Sequence, residues 1–216
     1  MSELPVSKGV LTVVSGFSGS GKGTIIDILM KKYQEYALSV SVTTRAPRPG
    51  EEEGREYFFR TREEFEEMIR TDALIEYAEY VGNYYGTPRS YVERMLSRGK
   101  NVILEIEMQG AMKIRKRFPD AVLFFVTAPS VEELRRRLVG RNTETAEVIA
   151  GRLAQAAREA NVMLDYDYLL VNETDKAEEC ADLLHGIIRG ERARVRNNAE
   201  LIRTIRDDLN KDQDPA

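Results

Sequence analysis

Short runs of β-branched and aliphatic residues alternate along the chain with longer stretches whose apolar positions recur every three to four residues. That order predicts an α/β fold on a parallel sheet. Buried strands are expected at Val10–Ser15, Asn101–Ile106, Ala121–Thr127 and Tyr168–Val171. Helical patterns follow them at Thr24–Tyr33, Gln109–Arg117, Val131–Gly140 and Asp175–Arg189. Thr61-Arg62-Glu63-Glu64 opens another helix, with a hydroxyl first and a carboxylate three residues on, the arrangement of a capping box.

The interval 38–90 differs in character. It holds strand-like runs at Leu38–Val42, Tyr57–Phe59 and Leu74–Tyr80, with turns expected at Pro47–Gly50 and Gly82–Gly86. It reads as a small inserted lobe of mixed or antiparallel strands. Residues 141–165 form a second, helical, Arg-bearing insertion. The expected organisation is one domain over 1–190, with its core in 9–37, 91–140 and 166–190, followed by a charged tail, 191–216. The tail alternates charges at helical spacing and should fray towards its end.

The chain has 216 residues, a net charge of −4, one cysteine and one histidine. A disulfide framework and a cysteine zinc site are therefore excluded within the chain, and a Ser-His-Asp triad is improbable. Cys180 and His185 fall on the Asp175–Arg189 pattern beside the apolar stripe Ala177, Ala181, Leu184 and Ile188, and read as structure. Met108 and Met112 read as packing. The acidic balance argues against a nucleic-acid coat protein. No apolar run nears the ~18 residues of a membrane span, and the first residues lack a secretory pattern, so the cytoplasm is the expected setting.

GFSGSGKGT, Gly16 to Thr24, follows the first strand directly. Gly16-x-x-x-x-Gly21-Lys22 is the P-loop frame in its required context, after a strand and before a helix. The glycines let backbone N–H groups converge on phosphate oxygens, the helix start adds partial positive charge, and Lys22 adds a full one. Gly23 stands where most P-loops carry the hydroxyl residue that meets magnesium, and Thr24 comes one position later.

In SVSVTTRAPRPGEEEGREYFF, Arg45 and Arg48 stand three apart in a Pro-rich turn, with Tyr57 beyond. Two guanidinium groups suit a second phosphate because each can donate two aligned N–H bonds. Farther on, LIEYAEYVGNYYGTP contains Glu76. A carboxylate offers two acceptors side by side, matching the N1–H and 2-amino donors of guanine, whereas adenine would face it with a lone pair. An alternating strand alone would turn Glu76 to solvent.

SGFSGSGKGT, SVSVTTRAPRPGEEEGREYFF, IEYAEYVGNYYGTP, ILEIEMQGA, RRRLVGRNTET and VNETDKA, in this order, closely resemble the guanylate kinase family from about Gly9 to Gly190. The resemblance implies a three-layer P-loop kinase fold with a GMP-binding lobe (38–90) and a helical lid (141–165). It implies that Gly16, Phe17, Ser18, Gly19, Ser20, Gly21, Lys22, Gly23 and Thr24 hold the phosphates of ATP, with Asn172 near the adenine. Ser41, Arg45, Arg48, Tyr57 and Tyr85 would hold the GMP phosphate, and Glu76 and Thr87 would read guanine. Thr87 stands where serine is common. Glu107 would assist at the base, and Glu105, with Thr24, would lie near Mg2+, directly or through water. Both glutamates stand where aspartate is frequent. Arg137, Arg141 and Arg152 match lid-side arginines that approach the transferring phosphoryl group, and Asn142 replaces a common glycine.

The implied activity is phosphorylation of GMP, and of dGMP with it, by ATP in purine nucleotide metabolism. The acceptor phosphate is already anionic, so no general base is needed; alignment and cations on the intervening oxygens are. Lys22, Arg45, Arg137, Arg141 and Arg152 are the candidates. ATP and GMP are the expected partners, with no nucleic acid and no membrane; the oligomeric state stays open. Two other readings stay open at this point. One is a P-loop kinase for another small acceptor. The other is a binding module of the same fold without transferase activity, against which the intact Gly16, Gly21 and Lys22 count.

Overall fold

The computed structural model describes residues 8–80, 82–140 and 146–211. Five parallel strands form the core sheet: β1 (Leu11–Gly16), β2 (Tyr36–Leu38), β7 (Asn101–Glu105), β8 (Val122–Thr127) and β9 (Tyr168–Val171), in the order β2-β7-β1-β8-β9. Strand alternation explains the layering. Val14 of β1, Ile103 of β7, and Phe124 and Val126 of β8 face α1 (Lys22–Lys32) and α7 (Ala177–Arg192), meeting Ile25, Leu29, Leu184 and Ile188. Leu11, Val13, Val102, Leu104 and Leu123 point the other way, to α3 (Arg89–Ser97) and α4 (Met108–Arg117). The fold is thus the three-layer α/β architecture expected. Cys180 and His185 are buried in the α1/α7 layer, His185 stacked on Tyr33 with ring centroids 3.6 Å apart.

A second sheet carries β3 (Ser41–Thr43), β4 (Tyr57–Phe59), β5 (Leu74–Tyr80) and β6 (Asn83–Pro88) in the order β4-β3-β6-β5. β3 and β4 are parallel; β6 is antiparallel to β3 and β5. Its apolar face, with Val42 and Leu74, packs on Phe65 of α2 (Arg62–Arg70). Thr61 caps α2 with the reciprocal capping box read from sequence. α5 (Val131–Gly140) and α6 (Ala146–Ala160) form a third packing group with Phe17, Phe125, Leu134, Leu138 and Ala156.

Two local expectations are corrected. The run 38–42 is not one strand: Leu38 ends β2 in the core sheet and Ser41 begins β3 in the other. Its apolar residues are shared between two sheets, and the chain crosses between them at Ser39 and Val40. Of the turn expected at Gly82–Gly86 only Gly82, with φ +73°, is in a turn: Asn83–Pro88 is a strand paired with β5, and Gly86 sits inside it because Phe65 and Leu74 leave no room for a Cβ. At the far end α7 runs on to Arg192, and Glu191 is buried, accepting a bond from the Tyr168 hydroxyl at 2.5 Å. α8 (Ala199–Lys211) follows and buries none of its residues. No helix among the described residues is long and apolar enough to cross a membrane.

Candidate active site

The carboxyl ends of the parallel strands point to one side, where ligands bind in open α/β sheets. β1 feeds the glycine loop, β7 leads to Glu105 and Glu107, and β9 ends beside Asn172. A cavity of about 830 Å³ opens there, lined by the loop from Gly16 to Thr24, by Glu105 and Glu107, and by Arg152 of α6.

The loop is shaped for an anion. Gly21 has φ +92°, a left-handed backbone that suits glycine, and an added Cβ would lie 2.3 Å from the Asn172 amide nitrogen. That amide donates to Ser20 O at 2.8 Å, so Asn172 buttresses the loop from beneath. α1 starts at Lys22 with no side-chain cap and no acidic residue in its first turn, which leaves the positive end of the helix to a ligand. Lys22 Nζ folds back onto the carbonyls of Gly16 and Phe17 at 2.6 and 3.1 Å.

The described lid-side arginines reach the same loop. Arg152 Nη1 donates to Ser18 Oγ at 2.6 Å. Arg137 donates to Asn172 O at 2.9 Å and to Glu133 at 2.7 Å. Arg136 and Arg137 together hold the Glu133 carboxyl down to about 2. Arg141 and Asn142 lie outside the described residues.

The second sheet presents the other predicted group, which does not line the cavity. Arg45 Nη2 donates to both oxygens of Glu51, each bond 2.9 Å, and the guanidinium lies 5.3 Å from the centre of the Tyr57 ring. Tyr85 closes the cluster, its ring centroid 6.0 Å from that of Tyr57. Glu51 also accepts the Arg48 N–H at 2.8 Å, and that bond, with Arg45, holds its carboxyl below the usual carboxylate range. The Arg48 side chain is exposed, and Ser41 starts β3 opposite Tyr57.

Glu76 is 6% exposed, not turned to solvent. Its Oε1 accepts the Thr87 hydroxyl at 2.7 Å across the β5–β6 pair. Burial pushes its carboxyl pKa up, against the Thr87 bond and the charge of Lys113. Glu105 is likewise pushed up by its surroundings, while Lys22 draws it down. Among the described residues no group of three or more His, Cys, Asp or Glu could hold a metal by itself. A cation here would rely on phosphate oxygens and water, with Thr24, Glu105 and Glu107 among the oxygen donors on the cavity wall.

Sequence reasoning missed several residues. Val148, Gly151, Gln155 and Glu159 line the cavity on the same helix as the predicted Arg152. Their i, i+3, i+4, i+7 spacing marks one face of a helix, which was the available signal. Glu51 was the carboxylate three residues after Arg48. Met112 packs as read, but Met108 faces the cavity.

A family model described as guanylate kinase matches residues 8–190. The chain is 53% identical over 188 residues to the guanylate kinase of Lactococcus lactis, covering 87% of this chain and 91% of that protein. It is 47% identical over 203 residues to that of Bacillus cereus, covering 94% and 98%. A solved guanylate kinase from Anaplasma phagocytophilum matches with a TM-score of 0.69 and 37% identity, covering 88% of this chain and 89% of that one.

Proposed function

The chain belongs to the guanylate kinase family, an enzyme family that phosphorylates GMP to GDP with ATP, and from that premise we propose how its residues divide the reaction. The loop Gly16–Thr24 and the uncapped start of α1 hold the donor phosphates, and Asn172 borders the adenine side. Ser41, Arg45, Arg48, Tyr57 and Tyr85 hold the acceptor phosphate, all within the lobe whose sheet runs from β3 to β6. Glu76 and Thr87 read guanine, with Glu107 assisting.

The donor needs a divalent cation. We assign Mg2+, near Thr24 and Glu105, because the site offers too few protein ligands for a self-contained cage; when bound it would neutralise charge on the phosphate oxygens. Lys22, Arg45, Arg137, Arg141 and Arg152 supply the remaining positive charge. Transfer is direct and in line, since an anionic acceptor has no proton to remove. Residues 141–165 act as a lid that excludes water from the reacting groups. We extend the acceptor to dGMP, which differs from GMP only in lacking the ribose 2′-hydroxyl, and assign the reaction to purine nucleotide metabolism in the cytoplasm.

The observation that carries the acceptor's identity is the buried Glu76–Thr87 pair. A desolvated carboxylate with one oxygen fixed by a hydroxyl rewards a base with adjacent donors and penalises one with an acceptor there. ADP release measured with GMP, dGMP, AMP, CMP and UMP tests this. The two guanine nucleotides should turn over and the others should not; AMP turnover equal to that of GMP would refute the assignment.

A further inference from the structure

We propose that Gly110 and Lys113 of α4 are positioning residues for base recognition, fixing where the Glu76 carboxylate lies. The proposal rests on the reading of Glu76 as the base-reading group.

Gly110 is buried in the first turn of α4. A Cβ added to it would lie 2.8 Å from Glu76 Oε2 and 3.4 Å from its carboxyl carbon. Thr87 holds Oε1 at 2.7 Å. The site of Oε2 therefore depends on a side chain that α4 lacks. Gly110 costs the helix some stability relative to alanine, and the space it leaves is filled by the end of a carboxylate from another element.

The same helix face fixes the strand on either side of Glu76. Lys113 Nζ donates to Tyr77 O and lies 4.8 Å from the Tyr77 ring centre. Arg117 donates to Leu74 O at 3.1 Å and Ile75 O at 3.3 Å. Lys113 and Arg117 thus grip the free edge of β5 at residues 74, 75 and 77, bracketing the reader that Gly110 makes room for. Lys113 is also the charged group facing Glu76. Burial favours the protonated form of that carboxyl and Lys113 opposes it, and only the ionised form accepts both guanine donors.

The test compares kcat/KM for GMP with that for IMP, which keeps N1–H and lacks the 2-amino group. In Gly110→Ala the carboxylate must swing aside. Oε2 can turn away while Oε1 keeps the Thr87 bond, and alanine favours helix, so the variant should fold and melt within a few degrees of the parent. Its preference for GMP over IMP should fall about tenfold, with KM for ATP unchanged. In Lys113→Met the acidic limb of kcat/KM for GMP should move to higher pH. An unaltered GMP/IMP preference in Gly110→Ala, with that preference abolished in Glu76→Gln, overturns the proposal. So does an unmoved pH limb in Lys113→Met. If Glu76→Gln itself keeps the preference, the base-reading assignment fails and this proposal falls with it.

Discussion

Replacing Thr87 by valine isolates one hydrogen bond. Thr87 is fully buried, and valine has nearly its shape, so no cavity opens. What is lost is the O–H that donates to Glu76 Oε1 at 2.7 Å. A hydrogen bond to a buried charged acceptor contributes about 1.5–3 kcal/mol, and removing its donor leaves the desolvation cost of the carboxylate in place. For a chain of this size each kcal/mol moves Tm by about 2–4 °C, giving a fall of about 3–12 °C at neutral pH. The pH dependence gives a second check. Burial raises the folded-state pKa of Glu76, so its contribution is most favourable in acid and is lost as pH rises through that folded value. The Thr87 bond opposes this rise, so Thr87→Val should raise the folded pKa further and lose more above it. The Tm gap between parent and variant should therefore narrow as pH falls through that range. Scanning calorimetry across pH measures it. An unchanged Tm at neutral pH, or a gap constant at every pH, would refute the pairing.

On the assignment of Arg45 to the acceptor phosphate, Arg45→Met should raise KM for GMP about 10- to 100-fold while leaving KM for ATP nearly unchanged, since a guanidinium is lost from one side only; steady-state kinetics with each substrate varied decides it. Gly21→Ala places a methyl 2.3 Å from Asn172 on a backbone with φ +92°, so titration calorimetry should find binding of an ATP analogue weakened at least about tenfold. Deleting the residues after Asn198 removes a helix with no fully buried residue, and should leave turnover unchanged and Tm within about 2 °C.

The core was legible because strand alternation and helix period act locally. Tyr168–Val171 and Val131–Gly140 appear with the bounds their patterns predict, and the glycine loop lies where a strand-to-helix turn must put it. The second sheet was less legible. Leu38 and Val42 look like one strand because both are apolar, yet they serve different sheets, and no local pattern marks a change of sheet. The turn expected at Gly82–Gly86 shows the same limit from the other side: Gly86 is demanded by Phe65 and Leu74, residues distant in sequence. Gly110 was invisible for that reason as well, its cause being a carboxylate from β5. The apolar positions Ile202, Ile205 and Leu209 of α8 went unremarked among the tail's charges, and all three are exposed.

The Arg45–Glu51 pair has a bearing on affinity. The protein supplies its own carboxylate to the guanidinium that would meet the acceptor phosphate, so an incoming anion competes with an internal rival instead of filling an empty electropositive hole. Its net gain is a difference between two attractions, and a dianionic phosphate outbids a single carboxylate where weaker anions do not. As the diphosphate loosens, Glu51 can reclaim its partner, and that competition would hasten the product's departure.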